Sequence, residues 1–115
     1  MKSMHKIFIT ASAMLVLPLA AFGQTTTDAS HGKSLFISDG CAECHGSGAE
    51  GGTGPHLAPN PPSAAFIATY IRHPAGEMPP YAASVVSDSD IADIHAYLQS
   101  IPAPPKLKDI PELNP

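Results

Sequence analysis

The chain has 115 residues, with 6 Lys+Arg against 10 Asp+Glu, a formal net charge of -4, 13 Pro, 9 Gly, 2 Cys and no Trp. Its length excludes a two-domain enzyme, its acidic balance a basic nucleic-acid binder, and its two cysteines a disulfide-rich miniprotein. A short chain rich in Pro and small residues buries a modest core, and such domains often rely on a disulfide, a metal or a cofactor.

Lys2, His5 and Lys6 precede an apolar run from Ile7 to Leu17, broken only by Thr10 and Ser12. Ala21-x-Gly23 then fits the small-x-small rule of a signal peptidase. The stretch from Ile7 to Phe22 is shorter than the about 20 residues that a bilayer span takes. Residues 1–23 are therefore expected to be a cleaved secretory signal, with export to the periplasm and no stable membrane insertion afterwards. Cleavage after Gly23 leaves 92 of the 115 residues, and four cations (Lys33, Arg72, Lys106, Lys108) against all ten acids give a charge of -6.

The expected domain spans residues 24–101. Asp28 or Ser30 can cap a first helix running to about Ser38, with Leu35 and Phe36 apolar and Gly32 four residues before Phe36 on one face. Asp39-Gly40 ends it. Residues 41–57 are rich in Gly and small side chains and read as loop with room for one helical turn. Pro59, Pro61 and Pro62 lack backbone donors and extend that loop. Ser63 starts a second helix, Ala64 to Arg72, which Pro74 stops. Residues 75–86 carry Gly76, Pro79 and Pro80 and read as loop. The third helix has Ser87 as N-cap and Asp90 in a capping-box position. Ile91, Ile94, Leu98 and Ile101 form its apolar stripe with Tyr97 beside them, and Pro102 ends it. Residues 102–115 form a Pro-rich tail expected to be extended and polyproline-like.

Chemistry concentrates in Cys41-Ala42-Glu43-Cys44-His45, a C-x-x-C-H run holding both cysteines of the chain. The spacing matches covalent haem attachment, with two thiols for the two vinyl groups and the adjacent His for the iron. A thioredoxin-like dithiol needs a βαβ context, a zinc site needs four ligands, and a disulfide would close a very small loop. None suits this sequence as well. His45 supplies one axial ligand. For the other, Met1, Met4 and Met14 leave with the signal, and Met78 remains on a loop flanked by Pro79 and Pro80. Imidazole also binds iron, so His56 and His73 are the rivals. His95 lies mid-helix beside the apolar stripe, and His31 is expected to be solvated.

The sequence resembles a bacterial class I monohaem cytochrome c over about residues 30–101. The resemblance rests on Gly32-Lys33-Ser34-Leu35-Phe36, Gly40-Cys41-Ala42-Glu43-Cys44-His45-Gly46, Thr53-Gly54-Pro55-His56-Leu57, Ile71-Arg72-His73-Pro74, Met78-Pro79-Pro80-Tyr81 and Ser87 to Leu98 in that order. It implies an all-α fold of three main short helices wrapped round one covalently bound haem c and its iron. It implies that Gly32 and Phe36 pack against Ile94 and Tyr97, and that the Pro55 carbonyl accepts the second ring N–H of His45. Cys41, Cys44, His45, Met78 and Pro55 are then the cofactor-binding residues, with His45 and Met78 on the metal.

His/Met ligation fills both axial positions, so the expected function is one-electron transfer between redox protein partners, with no substrate turnover and no catalytic residue. Two roles fit: the haem subunit or dedicated acceptor of a dehydrogenase, or a free diffusible carrier between respiratory complexes and a terminal oxidase. The tail, with Leu107, Ile110 and Leu113 spaced by three, favours the dedicated subunit, because a Pro-rich segment lies along a partner at low ordering cost.

Overall fold

A computed structural model describes residues 26–113, so the expected signal segment lies outside the described residues. All regular structure among the described residues is helical, as expected: α1 (Ala29–Ser38), α2 (Cys41–His45), α3 (Ala64–Tyr70), α4 (Asp88–Ser100) and two 3₁₀ turns, Leu107–Asp109 and Pro111–Leu113. None of these helices is long and apolar enough to cross a membrane.

Each start is explained by its cap. The Asp28 carboxylate accepts from Ser30 N at 2.8 Å and His31 N at 3.1 Å, so Asp28 and not Ser30 caps α1. Ser63 Oγ accepts from Phe66 N at 3.2 Å at the start of α3. At α4 the capping box closes both ways: Asp90 N donates to Ser87 Oγ at 3.1 Å and Ser87 N to Asp90 Oδ2 at 2.8 Å.

The ends differ from expectation in two places. α3 stops at Tyr70, two residues short of Arg72. His73 precedes a proline and is pushed out of helical geometry, and its N–H closes a tighter turn on the Tyr70 carbonyl at 3.1 Å. The tail has no regular structure over 102–106, where Lys106 is extended, and then turns twice. Asp109 N donates to the Lys106 carbonyl at 2.8 Å, and Pro111 opens the second turn, where a missing N–H is tolerated.

The core forms where α1 crosses α4. Phe36, Ile91, Leu98 and Val86 are fully buried, and the Phe36 and Tyr97 rings pack tilted at 56° with centroids 5.6 Å apart. Gly32 makes the close approach possible: a Cβ there would overlap the Asp93 carbonyl and come within 2.7 Å of Ile94 N. The resemblance therefore places Gly32 and Phe36 correctly. The crossing is also tied by polar bonds. The Asp93 carboxylate accepts from Asp28 N at 2.7 Å and from His31 Nδ1 at 2.8 Å. His31 is exposed, as expected, but it is not merely solvated.

Replacing Gly32 by Ala is expected to destabilise the holo protein by about 3 kcal/mol, because backbone, not a movable side chain, occupies the space. Guanidinium denaturation checks this, and an unchanged midpoint would contradict the packing.

The clamp also predicts a pH dependence. The bond to Asp93, with the negative charges of Asp93, Asp90 and Asp28, raises the His31 pKa above its ordinary 6.5. The bond from His31, with that from the Asp28 backbone, lowers Asp93 below 3.8. The His31 share of stability is complete below about pH 6.5 and is lost as pH rises through the raised value. The Asp93 share is present above about pH 4 and is lost as pH falls through the lowered one. The difference in thermal midpoint between the unsubstituted protein and His31→Gln should be largest between those limits and shrink towards pH 9. A difference independent of pH would exclude the charged clamp.

Candidate functional site

The five residues of α2 are bounded by two glycines with positive φ. Gly40, at φ 81°, turns the chain sharply out of α1, and Gly46, at φ 83°, turns it out again. In between, the helical repeat sets Cys44 three and His45 four residues after Cys41, so all three lie on one face. That face lines a cavity of about 600 Å³, within the range of roughly 300–1,000 Å³ usual for cofactor sites. The turn expected in the C-x-x-C-H loop is thus a full short helix, and its role is to aim three side chains at one space.

The cysteines are unpaired; Cys44 is exposed and Cys41 half-buried. Burial, reinforced by the nearby Asp39 carboxylate, pushes the Cys41 thiol up to about 11, so it is protonated at neutral pH. His45 is the buried polar residue of the core. Its Nδ1 lies 2.8 Å from the Pro55 carbonyl oxygen. A carbonyl oxygen only accepts, so Nδ1 carries the proton and Nε2 is left with a free lone pair.

The loop after α2 is folded to make that bond. Gly51 N donates to the His45 carbonyl at 2.7 Å and Gly54 N to the Cys44 carbonyl at 2.9 Å, which returns the chain beneath the ring. Gly54 lies against it, and a Cβ there would stand 2.9 Å from both Nδ1 and Cε1 of His45. Ala49, fully buried with φ 58°, holds the loop's inner corner, where its carbonyl accepts from Leu57 N at 2.8 Å. Tyr97 Oη donates to the Ser47 carbonyl at 3.0 Å and anchors the same loop to α4.

The other walls are mostly apolar, with Thr53, His56 and Glu77 among the lining residues. Phe36, Val86, Ile91, Ile94 and Leu98 supply the floor, and Phe66, Ile67, Tyr70 and Ile71 come from α3 and its end. The Phe66 and Tyr70 rings stack with centroids 5.7 Å apart. Met78, half-buried, enters from the loop after α3. The structure thus brings Cys41, Cys44, His45, Pro55 and Met78 to one cavity. Of the rival histidines only His56 lines it; His31 is bound to Asp93, and His73 and His95 lie elsewhere.

Sequence reasoning quoted Tyr81 and Arg72 within motifs but gave neither a role. Tyr81 Oη donates to the Asp39 carbonyl at 2.8 Å, and Arg72 Nη1 to the Tyr81 carbonyl at 3.0 Å. Neither bond has a local signature, since the partners are 42 and 9 residues apart.

Two thiols and one imidazole lone pair on one face, a thioether on another segment and apolar walls between them form the donor set and shape that a flat, covalently held iron porphyrin requires. Comparisons with known proteins agree. The family model described as cytochrome c oxidase, cbb3-type, subunit III matches residues 27–98. The 4-cresol dehydrogenase [hydroxylating] cytochrome c subunit of Pseudomonas putida is 35% identical over 94 residues, covering 78% of this chain and 81% of the relative. No solved structure matches the chain. Motif, cavity and both matches converge: the chain belongs to the cytochrome c family and is an electron-transfer protein carrying covalently bound haem c.

Proposed function

We propose that this protein is the periplasmic haem subunit of a dehydrogenase, taking single electrons from the catalytic subunit and passing them on, with His45 and Met78 as axial ligands. When bound, haem c supplies a one-electron iron couple. The observation that carries the reading is the presence of His45 and Met78 on two separate segments lining one apolar cavity.

Cys41 and Cys44 would hold the cofactor covalently through thioether bonds, each S–H adding across one vinyl group, and so would fix its orientation. The Pro55 carbonyl holds the His45 proton on Nδ1 and so strengthens Nε2 as a donor. The Met78 thioether would be the second protein ligand to the iron, a donor set that favours a raised potential. The mostly apolar walls would limit water at a bound cofactor, and Cys44 and Phe66 among the lining residues are exposed to solvent.

Support for the dehydrogenase comes from the Pseudomonas putida relative, which is named as a subunit of one. The family model is named for an oxidase subunit and supports electron transfer alone; the second reading is a free carrier between respiratory complexes and a terminal oxidase. In both readings this chain carries electrons, and any turnover belongs to the partner. The export reading is supported by the basic start, the apolar run and Ala21-x-Gly23 of residues 1–23, with Gln24 the proposed mature start.

Met78→Ala is expected to abolish the sulfur-to-iron charge-transfer absorption of the ferric protein. A surviving band would transfer the ligand role to another residue. Purification from the native host should yield a chain beginning at Gln24 in a stoichiometric complex with a dehydrogenase subunit. A free monomer would favour the diffusible carrier, and an uncleaved start would overturn the export reading.

A further inference from the structure

The two residues after Met78 are prolines. Neither Pro79 nor Pro80 has a backbone N–H, so neither can be pinned by a donated bond. The segment carrying Met78 must therefore be fixed at its ends. At the upstream end Ala75 N donates to Tyr70 Oη at 3.3 Å, a long bond to an exposed hydroxyl. The downstream end is held far more firmly, at Tyr81. Its N–H donates to the Ile71 carbonyl at 2.8 Å and its hydroxyl to the Asp39 carbonyl at 2.8 Å. Its own carbonyl accepts from Arg72 Nη1 at 3.0 Å.

We propose that Arg72 is a positioning residue for Met78: its guanidinium, oriented by Asp88, holds the Tyr81 carbonyl and thereby sets where the thioether stands. This rests on the reading of Met78 as the iron ligand. Arg72 Nη2 donates to Asp88 Oδ1 at 3.0 Å while Nη1 serves Tyr81. The Arg72 side chain is only 18% exposed, whereas that of Asp88 is 83% exposed. The buried end of the pair thus does the holding, and the exposed end orients it. A charged donor to a carbonyl makes a stronger bond than a neutral one. The planar fork can address both acceptors from fixed directions, which a lysine cannot. Asp88 is the first residue of α4, so one side chain joins the end of α3, the Met78 segment and the start of α4. Releasing the Tyr81 carbonyl raises the fraction of molecules in which Met78 has left the iron, and an outside ligand gains affinity in proportion.

The test is an imidazole titration of the ferric holo protein, followed by loss of the sulfur-to-iron charge-transfer absorption. Arg72→Ala is expected to tighten apparent imidazole binding about tenfold, the scale of one lost bond to a charged group. Arg72→Lys, which retains the charge but not the fork, should tighten it by about threefold. Hydrogen exchange at the Tyr81 amide should quicken in both. Imidazole affinity unchanged in both variants would overturn the proposal, even if their thermal midpoints fall. If Arg72→Ala does not take up haem, Arg72→Lys decides alone by the same criterion. The unsubstituted protein separates the two claims. Absence of the band there withdraws the Met78 assignment and with it the proposal, whereas a band with imidazole affinity unmoved by substitution withdraws Arg72 alone.

Discussion

The close crossing of α1 over α4 at Gly32 is the constraint on which the rest of the structure depends. Only a residue without a side chain lets the two backbones meet there. The approach brings Phe36 against Tyr97 and buries Ile91, Ile94 and Leu98 as the cavity floor. Because α2 follows α1 after only Asp39 and Gly40, fixing α1 also fixes the direction of the C-x-x-C-H face. Two tyrosine hydroxyls then tie the surrounding loops to this frame, Tyr97 to Ser47 and Tyr81 to Asp39. Asp93 locks the crossing from outside through Asp28 and His31.

From that frame the electron-transfer function follows as a matter of placement. The cavity gathers Cys41, Cys44, His45 with its Nδ1 proton on the Pro55 carbonyl, and the Met78 thioether proposed as a ligand, within mostly apolar walls. A one-electron carrier needs surroundings that change little between its two oxidation states. Short helices joined by proline-stiffened and glycine-turned loops supply them in a small chain. The abundance of Pro and Gly, which weakens any self-sufficient core, suits a fold wrapped round a rigid cofactor.

Much of this was legible in the sequence because its signals are local. Ser63, Ser87 and Asp90 announced helix starts, Pro74 and Pro102 announced ends, and C-x-x-C-H announced the attachment site, although its segment read as loop with room for one helical turn. Gly32, Phe36, Ile94 and Tyr97 were readable through the family resemblance, and Pro55 opposite His45 likewise. The remainder lay in contacts between distant residues. Asp93 meeting His31, Tyr81 meeting Asp39 and Arg72 meeting both Tyr81 and Asp88 leave no periodicity to detect. The tail misled because its prolines suggest an extended chain, whereas Leu107–Asp109 contains none and turns.

The decisive measurement is a redox titration of the holo protein under nitrogen and again under carbon monoxide. With both axial positions held by protein side chains, the midpoint should be the same under the two gases, with a one-electron slope of about 59 mV per decade. A midpoint raised by carbon monoxide would mean that the sixth position is open, and the protein would then be a ligand-binding haem protein rather than a closed electron carrier.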